Sequence, residues 1–520
     1  MDIKTSAASH PDPAPADAGG PPAPAFVSLV ADPRRRLLVF LLLLTALFMA
    51  TLDNQIVSTA LPTIVGEFGQ LERFGWIGSA YLLTSSAVMP LYGKLGDLFG
   101  RKYVIMAAVA IFTLGSLVCG LAVSMDTLIA ARVLQALGGG GIMVSIFSIN
   151  ADLFEARERA RYQSYSSLVL MASGAVGPVL GGTLSDLFGW RSIFLVNLPI
   201  GIFVLTGLAL LLPYRKPHRR PQIDYAGAIL LAGAVASIVL WADSAQIFGS
   251  LVATESLAVV AFGLLCALGW VAVERRVPEP VVPLSLFSSR TVNLLLVVSV
   301  VSGAIGIGSV NYVALFLQTT TGLSPTFAGL LFIAMTGGIA AGSLWAGRRI
   351  SKSGLYKPFS VASTGLGVIS LLFFSQMHAG TPVYLIAAVM LMHGISVGMG
   401  QQVPVLGVQN AARRDDVGAA TGTVTLARMS GAAIAISIYG AIISAGLAHL
   451  GSEIPGVANF KELTPQMLAA LPEASRAAVA EAYSDAFFPL FLTASGIVAI
   501  GFVAALMLKN VRLPLAGKVG

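Results

Sequence analysis

Two side chains of opposite charge, Asp53 and Arg132, lie inside long apolar segments and could handle a proton there. Asp53 follows Arg36 by seventeen residues, which is about 25 Å along a helix in a hydrocarbon layer roughly 30 Å thick. Arg132 follows Asp126, near the opposite surface, by six residues, or about 9 Å. The two side chains are therefore predicted to reach a similar depth. A carboxylate at that depth normally faces a bundle interior or water and marks a pathway.

Three interpretations of Asp53 stay open on the sequence alone. It could exchange protons along a transport path, with Arg132 tuning its proton affinity and Gln135, one turn further, on the same helix face. It could form a purely structural pair with Arg132. It could also lie near the outer end of its helix and merely reach the interface.

The composition indicates an all-α polytopic membrane protein. Of 520 residues, 56% are hydrophobic and 11% are charged, whereas soluble domains carry about 25% charged residues. The net charge of +7 would suit a nucleic-acid partner, but the basic residues follow membrane topology, so none is predicted. Cys119 and Cys266 lie in apolar segments and show no disulfide or metal-ligand spacing. The sequence contains no nucleotide-binding loop or credible nucleophilic triad, so we predict neither an enzyme nor a cofactor or metal site.

Several apolar segments are long enough to be membrane helices. Fourteen are counted, with approximate spans 37–60, 76–95, 103–123, 127–150, 163–187, 191–213, 225–244, 254–274, 291–318, 326–347, 357–376, 382–405, 417–446 and 485–508. With the amino terminus inside, 26 of the 32 Lys and Arg residues fall on the inner side and 4 in outer loops. This bias predicts a multi-pass protein of the cytoplasmic (inner) membrane with both termini in the cytoplasm.

A short repeat divides the chain. GKLGDLFGRK follows the second predicted helix and GRRISKSGLY follows the tenth, so that Gly93 aligns with Gly347 and Gly100 with Gly354. We therefore predict two similar six-helix bundles joined by an inserted helix pair, an architecture typical of transporters. The predicted divisions are a disordered cytoplasmic tail (1–33), a first bundle (34–214), the inserted helices 7 and 8 with their linkers (215–289), a second bundle (290–508) with an outer loop (447–483), and a cytoplasmic tail (509–520).

Five motifs, in order along the chain, resemble those of one transporter family. They are LDNQIVSTALP (52–62), GKLGDLFGRK (93–102), ARVLQALGGG (131–140), GAVGPVLGG (174–182) and WRSIFLVNLPIG (190–201). On these motifs the chain resembles the major facilitator superfamily, specifically the fourteen-span drug:proton antiporters of the EmrB/QacA type. The resemblance extends over residues 36–508 and implies the major facilitator fold. The third motif usually has Gly after Gln135, where this chain has Ala136.

The resemblance implies that the second motif is a conformational latch. Gly93, Asp97, Gly100 and Arg101 would close the inner side between the two halves. Asp97 and Arg101 are four residues apart and can pair, whereas Ser351 replaces the acid in the second copy of the repeat. The alternative is that the basic residues here only mark an inner loop.

The fourth motif is similar to the antiporter-specific motif of the family, which implies a hinge and seal between the halves. Its small residues let helices approach closely and tilt, and its proline removes a backbone donor. Ordinary packing of a membrane helix is the alternative explanation. The candidate hinge residues are Gly174, Gly177, Pro178, Gly181 and Gly182.

The second half offers a few polar side chains as candidate substrate contacts. Arg428 lies about 16 Å along the thirteenth helix and has no acidic partner in the apolar segments of that half, so a substrate or backbone carbonyls must satisfy it. His393 reaches a similar depth and could equally be a hydrogen-bonded core residue. Asn311 and Gln318 mark the ninth helix.

Together with the resemblance, these features predict a proton-driven exporter of amphipathic organic compounds, as in multidrug efflux and antibiotic resistance. The proton gradient would supply the energy, and no cofactor is expected. Dedicated export of an endogenous metabolite or lipid is the alternative, and a non-transporting receptor or scaffold is a third. The predicted partners are small amphipathic molecules, protons and the lipid bilayer, with a periplasmic adaptor protein as a further option at the outer loop.

Overall fold

The computed structural model describes residues 27–68, 74–216, 224–321, 325–448 and 473–514, which form long helices. Numbered in chain order, these are α1 (Pro33–Phe68), α2 (Phe74–Phe99), α3 (Arg101–Gly120), α4 (Met125–Leu153), α5 (Ala156–Phe188), α6 (Ser192–Leu211), α7 (Tyr225–Ala242), α8 (Thr254–Glu274), α9 (Arg290–Gly303, Ala304–Gly308 and Ser309–Thr319), α10 (Pro325–Ser353), α11 (Lys357–Ser375), α12 (Val383–Ala411), α13 (Val417–Ala448) and α14 (Glu473–Met507). The middle part of α9 is a π-helical turn. Parts of the predicted tails and outer loop, residues 1–26, 449–472 and 515–520, lie outside the described residues.

The helices confirm the prediction of an all-α, multi-pass membrane protein. Among the described residues, twelve helices are long and apolar enough to cross a membrane, and the number rises to thirteen if the two parts of the bent α5 count as one span. α2 is not among the twelve. The count of fourteen spans therefore stays a prediction.

The first six helices and the last six pack in the same way. The contacts α1–α5, α2–α4, α3–α4 and α3–α6 of the first half (α1–α6) recur as α9–α13, α10–α12, α11–α12 and α11–α14 in the second half (α9–α14). The halves meet along α2–α13 and α5–α10, which are equivalent contacts under the same pairing. α7 packs against α8 and contacts both α2 and α13. The helix contacts thus show the internal repeat that the loop sequences indicate.

Each half encloses a cluster of buried apolar side chains, and a further cluster joins α4, α5, α12 and α13. That joining cluster lies at the end of the bundle where both ends of the described chain are anchored, Leu29 to Asp152 and Leu513 to Gly354. We call this the inner end, in keeping with the predicted topology. The halves are therefore in contact at the inner end.

The aligned glycines of the repeat have similar conformations. Gly100 follows α2 with a φ of 93° and Gly354 follows α10 with a φ of 72°, values that glycine adopts without a steric cost. A Cβ on Gly93 would overlap with the carbonyl group of Gly418 on α13, and one on Gly347 would meet the start of α5 in the same manner. The two copies of the repeat thus make equivalent contacts with the opposite half, Gly93 with α13 and Gly347 with α5.

Candidate functional site

Asp53 lies at the centre of a buried polar network in the first half. Its Oδ2 accepts a hydrogen bond from Nη1 of Arg132 at 2.5 Å, and its Oδ1 accepts one each from the amides of Gln135 and Asn197, both at 2.8 Å. The two amides also donate to the hydroxyl of Ser116. All five side chains are at most 1% exposed. The network therefore joins α1, α3, α4 and α6 around one carboxylate.

The Arg132 guanidinium is held from several sides. Besides its contact with the carboxylate, Nη1 donates to Oε1 of Gln135 at 2.7 Å, Nη2 donates to Oδ1 of Asn54 at 3.2 Å, and Nε donates to the carbonyl of Ile77 at 3.4 Å. The ring of Tyr81 lies 4.3 Å from the guanidinium carbon, which is cation–π geometry. These contacts fix the cation beside Asp53.

The geometry narrows the interpretations of Asp53. The Asp53 side chain is 1% exposed and is therefore covered by other protein atoms, while its depth in the membrane stays a prediction. The pair with Arg132 is present, and both its structural and its proton-handling interpretations fit. Three N–H donors converge on the two carboxylate oxygens. A proton on either oxygen would displace one donor and weaken a link from α1 to α4 or α6, so the site can connect protonation with helix movement.

Sequence reasoning missed Asn197 and Ser116 as members of this site. Asn197 lies inside WRSIFLVNLPIG, a motif used only for the family resemblance, and an amide within an apolar segment was the signal available. Ser116 gave no signal, because a serine in a membrane helix usually bonds to its own backbone.

The same motif contacts α1 a second time, beyond its apolar span Pro33–Val57. The Trp190 indole and the Arg191 guanidinium donate to the Glu67 carboxylate at 2.6 and 2.8 Å. The hydrogen bonds from Arg191 and Trp190 hold the pKa of Glu67 below its usual value. WRSIFLVNLPIG therefore connects α6 to α1 at two depths, through Glu67 and through Asp53.

The predicted latch residues lie between the halves at the inner end. The Asp97 carboxylate accepts hydrogen bonds from the backbone N–H groups of Gly418 at 3.1 Å and Ala419 at 2.9 Å, in the first turn of α13. A carboxylate is stabilised there because the first N–H groups of a helix lack partners within it. Arg101 pairs with Asp97 at 2.6 Å and with Asp152 at 3.2 Å. The latch therefore joins α2 of the first half to α13 of the second.

A second polar contact between the halves centres on Gln409 of α12, which no sequence motif marked. Its Oε1 accepts hydrogen bonds from Arg159 at 3.0 Å and Gln163 at 3.3 Å, both on α5. Its Nε2 donates to the carbonyl of Phe147 on α4 at 3.0 Å and to the hydroxyl of Thr421 on α13 at 2.9 Å. One amide thus links helices of both halves, and we call this set of five residues the inner gate.

The predicted hinge residues lie where α5 bends. Its parts Ala156–Gly174 and Val179–Phe188 are inclined at 44°. A Cβ on Gly177 would overlap with the side chain of Gln55 on α1, and one on Gly174 would lie 3.5 Å from the same side chain. Small residues thus let α5 approach α1 next to the bend.

The other three hinge candidates are in or just beyond the bend. Gly181 is buried, and a Cβ on Gly182 would meet no atom within 4 Å. The side chain of Pro178 lies outside the described residues. This geometry fits both a hinge and ordinary close packing.

The second-half candidates differ in their surroundings. Arg428 is 5% exposed, and its Nε and Nη1 have no hydrogen-bond partner among the described residues. His393 is fully buried, with Nε2 3.0 Å from the Ser309 hydroxyl and Nδ1 2.9 Å from the Ser370 hydroxyl, which fits a hydrogen-bonded core residue. The side chains of the remaining candidates lie outside the described residues; these are Asn311 and Gln318.

Potential metal ligands and cysteines are both present in the part of the chain that the structure describes. No group of three or more His, Cys, Asp or Glu side chains there is placed to hold a metal ion. Cys119 and Cys266 are buried free thiols.

Comparison with known proteins supports the family. The model of the Major Facilitator Superfamily matches residues 43–436. An uncharacterised MFS-type transporter of Mycobacterium tuberculosis is 33% identical over 508 residues, which are 95% of this chain and 72% of the relative. The multidrug transporter protein MdtP of Bacillus subtilis is 30% identical over 428 residues, which are 80% of this chain and 77% of the relative.

Two solved structures share the fold. The human organic anion transporter MFSD10 has a TM-score of 0.62 at 16% identity, covering 91% of this chain and 100% of its own. The proton:xylose symporter XylE has a TM-score of 0.61 at 14% identity, covering 93% of this chain and 98% of its own. The chain belongs to the Major Facilitator Superfamily, and it is a multi-pass membrane transporter rather than an enzyme.

Proposed function

We propose that this chain exports amphipathic organic compounds in exchange for protons, by alternating access between its two halves. The observation that carries the proposal is Asp53, a buried acid on which three N–H donors converge. An acid in a membrane interior is costly and generally serves a pathway. The resemblance to proteins named multidrug transporters supports the class of cargo.

The proposal includes the topology and the division of the chain. Two six-helix halves, 34–214 and 290–508, move relative to each other, and the inserted helices α7 and α8 connect them. Both termini face the cytoplasm, and the protein lies in the cytoplasmic membrane. The distribution of Lys and Arg and the repeated helix contacts support this arrangement.

Proton uptake would act through the hydrogen bonds of Asp53. A proton on Oδ1 displaces the amide of Gln135 or Asn197, and a proton on Oδ2 displaces Arg132. Each loss loosens α1 from α4 or α6. Arg132 then lies buried beside a neutral acid, and because an unpaired buried cation is costly, release of the proton on the other side of the membrane becomes favourable.

The contacts at the inner end would supply the moving parts. In the described arrangement, the latch at Asp97 and the inner gate around Gln409 hold the halves together. Cytoplasmic compounds would enter when these bonds break, and the bend of α5 near Gly177 would act as the hinge. Reclosure would then direct the cargo outward.

The test is export from proteoliposomes with an imposed pH gradient, using a compound chosen by a susceptibility panel in a host without its own efflux pumps. Asp53→Asn keeps the shape of the side chain but cannot gain or lose the proton. We expect it to abolish gradient-driven export while leaving substrate counterflow, which needs no gradient, in place. Asp186→Asn, the same change at an exposed position of α5, should transport like the wild type.

The outcomes separate the interpretations of the buried pair. Undiminished gradient-driven export by Asp53→Asn would refute the proton role. Loss of both export and counterflow, with poor folding, would assign the pair with Arg132 to structure alone.

A further inference from the structure

Arg428 of α13 is a buried cation that no described residue neutralises. It is 5% exposed, and neither Nε nor Nη1 has a hydrogen-bond partner among the described residues. In the first half, by contrast, Arg132 is paired with Asp53. Arginines inside a membrane normally pair with an acid or with backbone carbonyls, or face a cavity. Within the described part of the chain, no backbone carbonyl accepts a hydrogen bond from either nitrogen.

Helical periodicity places Arg428 directly above the inner gate. It follows Thr421 by seven residues, or two helical turns, so both side chains lie on nearly the same face of α13. Thr421 accepts a hydrogen bond from the Gln409 amide at the gate. The rise of a helix puts Arg428 about 10 Å further from the inner end. The face of α13 that contributes Thr421 to the inner gate is therefore also the face that carries the Arg428 guanidinium.

The backbone at Arg428 is fixed against α9. A Cβ on Gly303 would overlap with the carbonyl of Arg428, and one on Gly431 would overlap with the carbonyl of Val300. Gly303 directly precedes the π-helical turn Ala304–Gly308, and π-helical turns are frequent at functional sites. These two close backbone contacts with α9 give the Arg428 side chain a fixed origin, as a binding group requires.

We propose that Arg428 binds an oxyanion group of the exported compound, a carboxylate, sulfonate or phosphate, so that amphipathic organic anions are the substrate class. The guanidinium offers several N–H donors in a planar fork that matches two oxygens at once. Pairing with the anion neutralises the buried cation just outside the closed gate. A neutral compound of the same shape leaves the cation unpaired and binds more weakly. This inference rests on the proposed export function and adds its chemical selectivity.

The test is equilibrium binding to the purified full-length protein in nanodiscs, without a proton gradient. The probes are three acids, dansyl-phenylalanine, naphthylacetate and decanoate, each with its primary amide as a neutral partner, and sodium sulfate as an inorganic anion. In the wild type, at least one acid should bind tenfold or more tightly than its amide. Arg428→Gln should remove this preference. Arg290→Gln removes a cation at an exposed position of α9 and should keep it.

Each other outcome overturns the inference. Equal affinity of acids and amides in the wild type, or an unchanged preference in Arg428→Gln, would refute it. Full competition by millimolar sulfate would show that the site binds an inorganic anion as well as it binds the acids, and would refute amphipathic anions as the selected class. If Arg428→Gln does not fold, Arg428→Lys decides, because one ammonium should reduce the preference and an undiminished preference refutes the forked contact. Undiminished gradient-driven export by Asp53→Asn, or no export by the wild type, would count against the proposed function and leave this binding result unaffected.

Discussion

Removing the Asp97 carboxylate should open the inner end of the protein. Asp97 accepts two backbone hydrogen bonds from the first turn of α13 and pairs with Arg101. Its side chain is 4% exposed and that of Arg101 is 10% exposed, so water competes little for these contacts. Asp97→Ala removes the two carboxylate oxygens that accept these bonds from the second half. The ion pair with Arg101, which is also lost, lies within the first half.

The size of the effect follows from the two lost bonds. A hydrogen bond to a charged group contributes about 1.5–3 kcal/mol. The freed N–H groups regain water when the inner end opens, so we expect a net loss of about 2–4 kcal/mol for the pair. At about 1.4 kcal/mol per factor of ten, the ratio of open to closed protein should rise roughly 30- to 700-fold. Asp97→Asn keeps one acceptor oxygen and should show a smaller rise.

Cysteine labelling measures this opening. Ser167 of α5 is 1% exposed and accepts a hydrogen bond from Gln402 of α12 across the halves, so a cysteine there is covered while the inner end is closed. The two native cysteines are buried and give a low background. In a Ser167→Cys protein, Asp97→Ala should raise the rate of labelling by N-ethylmaleimide by tenfold or more.

The matched control separates the latch from a general loss of stability. Asp152→Ala removes the second ion pair of Arg101 without removing a contact to α13, and it should label at nearly the starting rate. If Asp97→Ala labels at the starting rate and transports normally, the latch reasoning is refuted, and the motif only marks an inner loop.

Two further predictions concern the contacts of α6 with α1. Asn197→Ala leaves the Asp53 carboxylate with two of its three N–H donors. Gradient-driven export should fall about tenfold, the effect of losing one hydrogen bond to a charge, while substrate counterflow persists. Undiminished export by this variant would contradict the role of Asn197. Glu67→Gln should lower the melting temperature only slightly at neutral pH, because the Glu67–Arg191 pair is largely exposed. The folded protein depresses the pKa of Glu67. The stabilisation by the Glu67–Arg191 pair is therefore present above the ordinary carboxyl pKa and is lost as the pH falls. If the difference in melting temperature between wild type and Glu67→Gln grows between about pH 7 and pH 3, the stabilising role of this pair is refuted.

The helices were predictable because hydropathy and the positions of basic residues follow directly from the membrane as a solvent. The repeat was predictable from two short loops, since Gly100 and Gly354 need the same positive φ. The family resemblance implied a hinge in α5, but the bend and its angle were not predictable, because they depend on how α5 packs against α1 and α10. Gly177 shows this, since it contacts Gln55, a residue more than a hundred positions away.

The charged members of the site were predictable and the uncharged members were not. Asp53 and Arg132 stand out because a charge in an apolar segment is expensive, and their similar depth followed from helix geometry. Asn197, Ser116 and Gln409 cost far less to bury and match many other polar residues in membrane helices. Their roles depend on which helices are neighbours, and that information is absent from local sequence.

The two halves have equivalent buried polar networks that differ in charge. In the second half, His393, Ser309 and Ser370 join α12, α9 and α11, the helices equivalent to those that carry Gln135, Asp53 and Ser116. A buried polar network therefore ties the same three helices in each half; the network of the first half contains an acid, Asp53, and the described part of the second contains a histidine, His393. In the proposed cycle, the proton changes the first half, and the cation available to cargo, Arg428, lies in the second. Coupling between proton and cargo must then pass through the contacts between the halves, and the latch at Asp97 is placed on that route because its carboxylate bonds directly to the first turn of the helix that carries Arg428.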